Sequence, residues 1–165
     1  MNRVVVSAVL AAGAITLAGC GFTPLYGDPG VATQLNSVHV TTPPSRTGQL
    51  IREHLDDALA NAKGGAPKYR MDLALGETRY PRGLRVDNVA TRYEYVLTAN
   101  YTLVSTASGV AVKSGTARAQ VTYDSADQPY ASITAQQDAQ DRAAAECARK
   151  IQLELAAWLA TQGKS

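Results

Sequence analysis

Eight residues spaced four apart near the end of the chain constrain the fold most tightly: Ala131, Ala135, Ala139, Ala143, Cys147, Ile151, Leu155 and Leu159. A period of four lies close to the 3.6 of an α-helix and predicts one long helix over about Tyr130 to Ala160. The row drifts by ~40° per step, so the inward face must step back through Ala144, Ala148 and Trp158. Alanine lines the first half and larger residues the second. The first half should therefore lie close against a sheet or a partner, and the second half should fill the core. About 30 residues at 1.5 Å each give a rod of ~45 Å, longer than a four-stranded sheet is wide, so part of it should overhang. Pairs four apart, Asp138/Arg142, Arg142/Glu146 and Glu146/Lys150, mark a solvated helix face.

Upstream, Val38 and Val40 alternate with His39 and Thr41 as a short strand that Pro43-Pro44 ends. From about Thr47, Ile51, Leu55, Ala58, Leu59 and Ala62 share one helical face, with Gly64-Gly65 and Pro67 as a stop. Three alternating segments follow: Tyr69 to Gly76, Tyr93 to Val104, and Val110 to Tyr123 with Ala117, Ala119 and Val121 facing in. The order strand, helix, three strands, helix predicts an α+β fold. Its form is a two-layer sandwich of about four mostly antiparallel strands with two helices packed on one face. The other face would carry Val96, Thr98, Asn100, Thr102, Val112, Thr116, Arg118 and Gln120, a Thr-rich mixture.

The N-terminus sets the compartment. Arg3 precedes an apolar run from Val4 to Ala18, which ends in Leu17-Ala18-Gly19-Cys20. That layout reads as a lipoprotein signal peptide over residues 1–19, with Cys20 as the lipidation site; the alternative is an ordinary secretory signal with Cys20 as the first mature residue. Several acyl chains, at ~0.8 kcal/mol per buried methylene, would anchor the chain permanently. Residues 20–35, broken by Pro24, Gly27 and Asp28-Pro29-Gly30, read as a lipidated tether, and residues 36–165 as a single domain. Cys147 then has no intramolecular disulfide partner and reads as a buried small hydrophobe.

The formal charge of +2 falls to +1 once Arg3 is removed, which gives no global reason to expect nucleic acid as a partner. His39 and His54 have no neighbours at metal-ligand spacing, and no phosphate loop or nucleophile elbow appears. The expectation is a protein with no catalytic residues, no metal and no cofactor. One cluster stands out. Residues 78–92, read as a loop between two strands, hold Arg79, Arg82, Arg85 and Arg92 against the single acid Asp87, with Tyr80, Leu84 and Val86 interleaved. Guanidinium groups grip phosphate bidentately, so a basic and apolar segment of this kind suits an amphiphile with an acidic head. A solubilising hairpin loop is the plainer reading.

Three stretches carry a family resemblance. They are Cys20-Gly21-Phe22-Thr23-Pro24-Leu25-Tyr26-Gly27, then Tyr101-Thr102-Leu103-Val104 leading into the Gly109 turn, and Tyr130-Ala131 followed by Asp138-Ala139 and Arg142-Ala143. Together they resemble the lipopolysaccharide-assembly lipoprotein family LptE in its alphaproteobacterial form. The resemblance implies an outer-membrane lipoprotein, facing the periplasm, that plugs the β-barrel protein LptD and binds lipopolysaccharide for insertion into the outer leaflet. No family motif assigns the binding residues; Arg79, Arg82, Arg85 and Arg92 are inferred from their chemistry. A general periplasmic lipoprotein scaffold, a peptidoglycan-binding module and a hydrolase are the alternative classes.

Overall fold

The computed structural model describes residues 33–59, 66–84, 86, 90–125 and 128–162. Cys20, the signal peptide, most of the tether and Arg85 lie outside the described residues. The elements run β1 (Val38–Thr41), α1 (Arg46–Ala58), β2 (Tyr69–Leu84), β3 (Ala90–Ser105), β4 (Ala111–Asp124) and α2 (Pro129–Gln162). They form one four-stranded sheet in the order β1-β2-β3-β4. β1 pairs in parallel with β2 over Tyr69–Asp72, and the other two pairings are antiparallel. The sheet is therefore mostly antiparallel, and the α+β class and two-layer architecture expected from the element order are those observed.

Alternation decides the faces. Met71, Leu73, Leu97, Ala99, Tyr101, Leu103, Ala117 and Ala119 turn inward and are buried beneath both helices, together with Val38 and Val40 of β1. Leu35, which the sequence places in the tether, is also buried in this core. Its apolar side chain packs there, so the packed region starts before residue 36 among the described residues.

α1 opens on Ser45, whose side chain accepts from the Gly48 N–H at 3.0 Å, a standard satisfaction of an orphan helix donor. Ile51 and Leu55 are fully buried against α2 and the sheet. Gly48 is required at the third helical position, because a Cβ there would lie 2.1 Å from the Pro43 carbonyl oxygen.

α2 follows the four-residue row from its third turn onward. Ala139, Ala143, Cys147, Ile151, Leu155 and Leu159 are all buried, and Ala144, Ala148 and Ala156 widen the buried face toward α1. Trp158 meets Tyr69 edge to face at 5.9 Å. The start of α2 overhangs, with Tyr130 87% and Ile133 53% exposed. Cross-links between the helices are polar: His54 Nε2 lies 2.8 Å from Asp141 Oδ1, and the Gln152 side-chain amide donates to the Ala58 carbonyl. Asp138–Arg142 and Glu146–Lys150 ion pairs form as the spacing predicts.

One expectation is corrected. Residues 78–92 are not simply a loop. β2 runs on to Leu84 and β3 begins at Ala90, so most of the segment is a two-stranded extension paired as far as Leu84↔Ala90. Thr78 to Arg82 keep the strand alternation. Pro81 is tolerated because β1 ends opposite Asp72, leaving β2 without a neighbour on that edge beyond it. Gly83 supplies the positive φ of 62° near the tip.

Candidate functional site

The hairpin extension distributes its arginines over two faces. Side chains alternate along a strand, so Arg79 falls on the helix-facing side with Tyr93 and Tyr95. Arg82 and Arg92, which are direct cross-strand partners, fall on the open side. The structure thus brings Arg82 and Arg92 together and separates Arg79 from them; Arg85 lies outside the described residues.

On the open side each guanidinium already has a carboxylate. Arg82 donates through Nε and Nη2 to Glu94 Oε2 at 2.8 and 2.6 Å, while Gln120 Nε2 donates to Glu94 Oε1 at 3.2 Å. Arg92 donates through Nε to Asp124 Oδ1 at 2.7 Å. The hydrogen bond and the charge of Asp124 both push the Arg92 pKa above its ordinary value. Arg82 also lies 5.7 Å from the Tyr80 ring centroid, and Tyr80 is 44% exposed. The Arg92–Asp124 pair is solvent-exposed on both sides and worth little alone, whereas the Glu94 carboxylate is only 17% exposed. Both guanidiniums are thus already paired with carboxylates, and among the described residues the open side holds no empty anion site.

On the helix-facing side, Arg79 donates through Nη1 to Gln136 Oε1 at 2.9 Å and stands 4.9 Å from the centroid of Tyr93. Tyr93 stacks on Tyr123 at 5.6 Å. Among the described residues Arg79 is the one arginine of this hairpin without a carboxylate partner. Two residues earlier, Glu77 accepts the Tyr95 hydroxyl at 2.7 Å. Burial, reinforced by this acceptor, raises the Tyr95 pKa well above its ordinary value. Sequence reasoning missed Glu77, Gln136 and Gln140 as site residues; the four-residue spacing of the two glutamines, one position past Ala135 and Ala139, was the available signal.

The remaining open face is mainly polar. Ala74, Gly76 and Thr78 of β2 lie beside Thr98, Asn100 and Thr102 of β3, and Thr116 Oγ1 donates to Asn100 Oδ1 at 2.7 Å. Val96 is 4% exposed although it lies on this face, between Thr78 and Gln120. Among the described residues no group of three or more His, Cys, Asp and Glu side chains comes together as a metal site, and no helix is long and apolar enough to cross a membrane.

This two-layer α+β fold is shared with bacterial lipoproteins of known structure. A candidate lipoprotein from Caulobacter crescentus is 50% identical, with a TM-score of 0.71 over 81% of this chain and 97% of that one. Rare lipoprotein B from Shewanella oneidensis shares the fold at 14% identity, with a TM-score of 0.57 over 76% of this chain and 96% of that one. A minor lipoprotein from Acinetobacter baumannii does so at 12% identity and 0.58, over 73% and 90%. No match is found among curated proteins. The family model for LptE, described as lipopolysaccharide-assembly, matches residues 35–155, and the chain belongs to that family.

Proposed function

We propose that this chain is a non-catalytic outer-membrane lipoprotein that sits as a plug in an LptD-like β-barrel and binds lipopolysaccharide for insertion into the outer leaflet. The observation that carries this reading is the family match over residues 35–155, which spans nearly all the described elements. The apolar run ending in Leu17-Ala18-Gly19-Cys20 supports a signal peptide over residues 1–19, acylation of Cys20 and a tether that leads from Cys20 into the folded domain, which already includes Leu35.

The physical arrangement suits enclosure. Both helices occupy one face of the sheet, which leaves the Thr- and Asn-bearing face to meet the polar interior wall of a barrel. A small domain enclosed by a partner gains effective stability from it by mass action. For lipopolysaccharide, Arg82 and Arg92, with Arg85 close by in sequence, provide guanidinium groups for phosphate; Tyr80 offers apolar surface beside Arg82, and Arg79 lies on the opposite side of the same hairpin.

Depleting the chain from cells tests the reading. The barrel partner should then assemble poorly and lipopolysaccharide should fail to reach the cell surface. Normal barrel assembly and normal surface lipopolysaccharide after depletion would contradict it.

A further inference from the structure

Between the helix-facing side of the hairpin and the first half of α2 lies an open notch of about 230 Å³, lined by Glu77, Thr78, Arg79, Tyr95, Gln136 and Gln140. β2 contributes a carboxylate and a guanidinium two residues apart, hence on one face of the strand. α2 contributes two amides four residues apart, hence on one face of the helix. The groups are held in place. Glu77 Oε2 is fixed by the Tyr95 hydroxyl, and Oε1 has no partner among the described residues. Arg79 is fixed by Gln136 and by the Tyr93 ring, which leaves Nε and Nη2 as donors. The Gln136 NH2 group and both ends of the Gln140 amide complete the set.

We propose that this notch binds a single neutral sugar ring. Each sugar hydroxyl both donates and accepts, so neighbouring hydroxyls need donors and acceptors side by side, and these four side chains supply them. A phosphate here meets the Glu77 carboxylate, and a cation meets Arg79; each is repelled at short range. A zwitterion satisfies both charges but leaves the two amides unused. The volume lies below the ~300 Å³ at which drug-sized sites begin, which fits one ring rather than an extended chain. The proposal rests on the lipopolysaccharide reading only for the source of the sugar, the saccharide portion of a glycolipid. It gives Arg79 a role distinct from the phosphate contacts proposed for Arg82 and Arg92.

The test is NMR of the isotope-labelled mature chain in detergent micelles. It is titrated with methyl glucopyranoside and methyl mannopyranoside to about 50 mM, far above a millimolar Kd, and in parallel with inorganic phosphate and with glycine. The side-chain signals of Arg79, Gln136 and Gln140 should shift saturably with a sugar and not with phosphate or glycine. Gln140→Ala, and Glu77→Gln, which keeps an acceptor for the Tyr95 hydroxyl, should each weaken sugar binding about five-fold, the loss of roughly one hydrogen bond. Saturation by phosphate or glycine instead, no saturable shift with either sugar, or unchanged sugar affinity in both folded variants would overturn the proposal. If the sugars fail to bind while the chain still co-purifies with its barrel, the notch proposal alone falls. Sugar binding without barrel association removes the plug reading and leaves the notch standing.

Discussion

The Tyr101 side chain on β3 crosses directly over Gly115 on β4, so closely that a Cβ on Gly115 would lie 2.6 Å from Cε1, Cζ and the hydroxyl oxygen. The ring cannot swing away, because its hydroxyl donates to Glu154 on α2 at 2.5 Å and the residue is 2% exposed. Sheet and helix are thus joined through one aromatic ring that needs a glycine beneath it. Gly115→Ala should cost about 1–3 kcal/mol, the usual penalty for overpacking a core, and lower Tm by several degrees. A thermal melt with unchanged Tm would contradict the contact.

Gly48 makes the same kind of claim against helix propensity. Alanine is favoured over glycine in a helix by ~1 kcal/mol, yet its Cβ would collide with the Pro43 carbonyl oxygen, a backbone atom that cannot move alone. Gly48→Ala should therefore destabilise the domain by about 2 kcal/mol or more. A rise in denaturant midpoint would show that the Pro43–Ser45 turn yields easily.

Alkaline pH should weaken the fold in two stages. Burial pushes the Cys147 thiol from 9.0 up to about 11, and burial with carboxylate acceptors raises Tyr95 and Tyr101 above their ordinary 10.0. Each folded pKa lies above the unfolded one, so the stabilisation is complete below the unfolded pKa and is lost as pH rises through the folded one. Cys147 acts between about pH 9 and 11, where it accounts for at most ~3 kcal/mol, and the tyrosines act from about pH 10 upward. Cys147→Ala should flatten the first stage and Tyr101→Phe part of the second in urea melts taken across that range. Identical pH profiles for wild type and both variants would refute this assignment.

Cys147 should also be chemically quiet. It is fully buried, with Sγ 3.8 Å from the carbonyl oxygens of Leu97 and Ala117, and a protonated, enclosed thiol is a poor nucleophile. Near neutral pH, Cys147→Ala should cost only ~1 kcal/mol because little volume is lost. A polar thiol reagent should label it only as fast as the domain opens; rapid labelling of folded protein would contradict its burial.

Charge reversal separates the two sides of the hairpin. Arg82→Glu with Arg85→Glu should weaken lipopolysaccharide binding and make what remains less sensitive to salt, since exposed ionic contacts are screened. Arg79→Gln should leave the phosphate-dependent part intact. Unchanged lipopolysaccharide affinity in the folded double variant would return Arg82 and Arg85 to the role of a solvated hairpin.

The sequence made some of this legible and hid the rest for physical reasons. The four-residue row located α2 and its buried face from Ala139 to Leu159, because helical period and burial both follow from backbone geometry, but it also counted Ala131, which is exposed on the overhanging start. The inward set of Ala117, Ala119 and Val121 was equally readable from alternation. The hairpin extension was not. Pro81 and Gly83 carry turn signals, and the strand that tolerates them does so only because β1 stops opposite Asp72, a tertiary fact. For the same reason four arginines close in sequence looked like one patch, whereas strand alternation sends Arg79 to the other side. Glu77 and Gln140 lie 63 positions apart and line one notch because α2 docks across β3 and β4, which no local pattern records.

Co-purification after mild detergent extraction shows whether the chain is a barrel plug. The full chain, tagged at its C-terminus and expressed at its natural level, is captured from solubilised outer membranes. A stoichiometric complex with a large β-barrel protein should be recovered, in which the chain resists protease better than it does alone. Recovery of the tagged chain as a free, lipidated monomer, with no barrel at comparable stoichiometry, would contradict the plug reading.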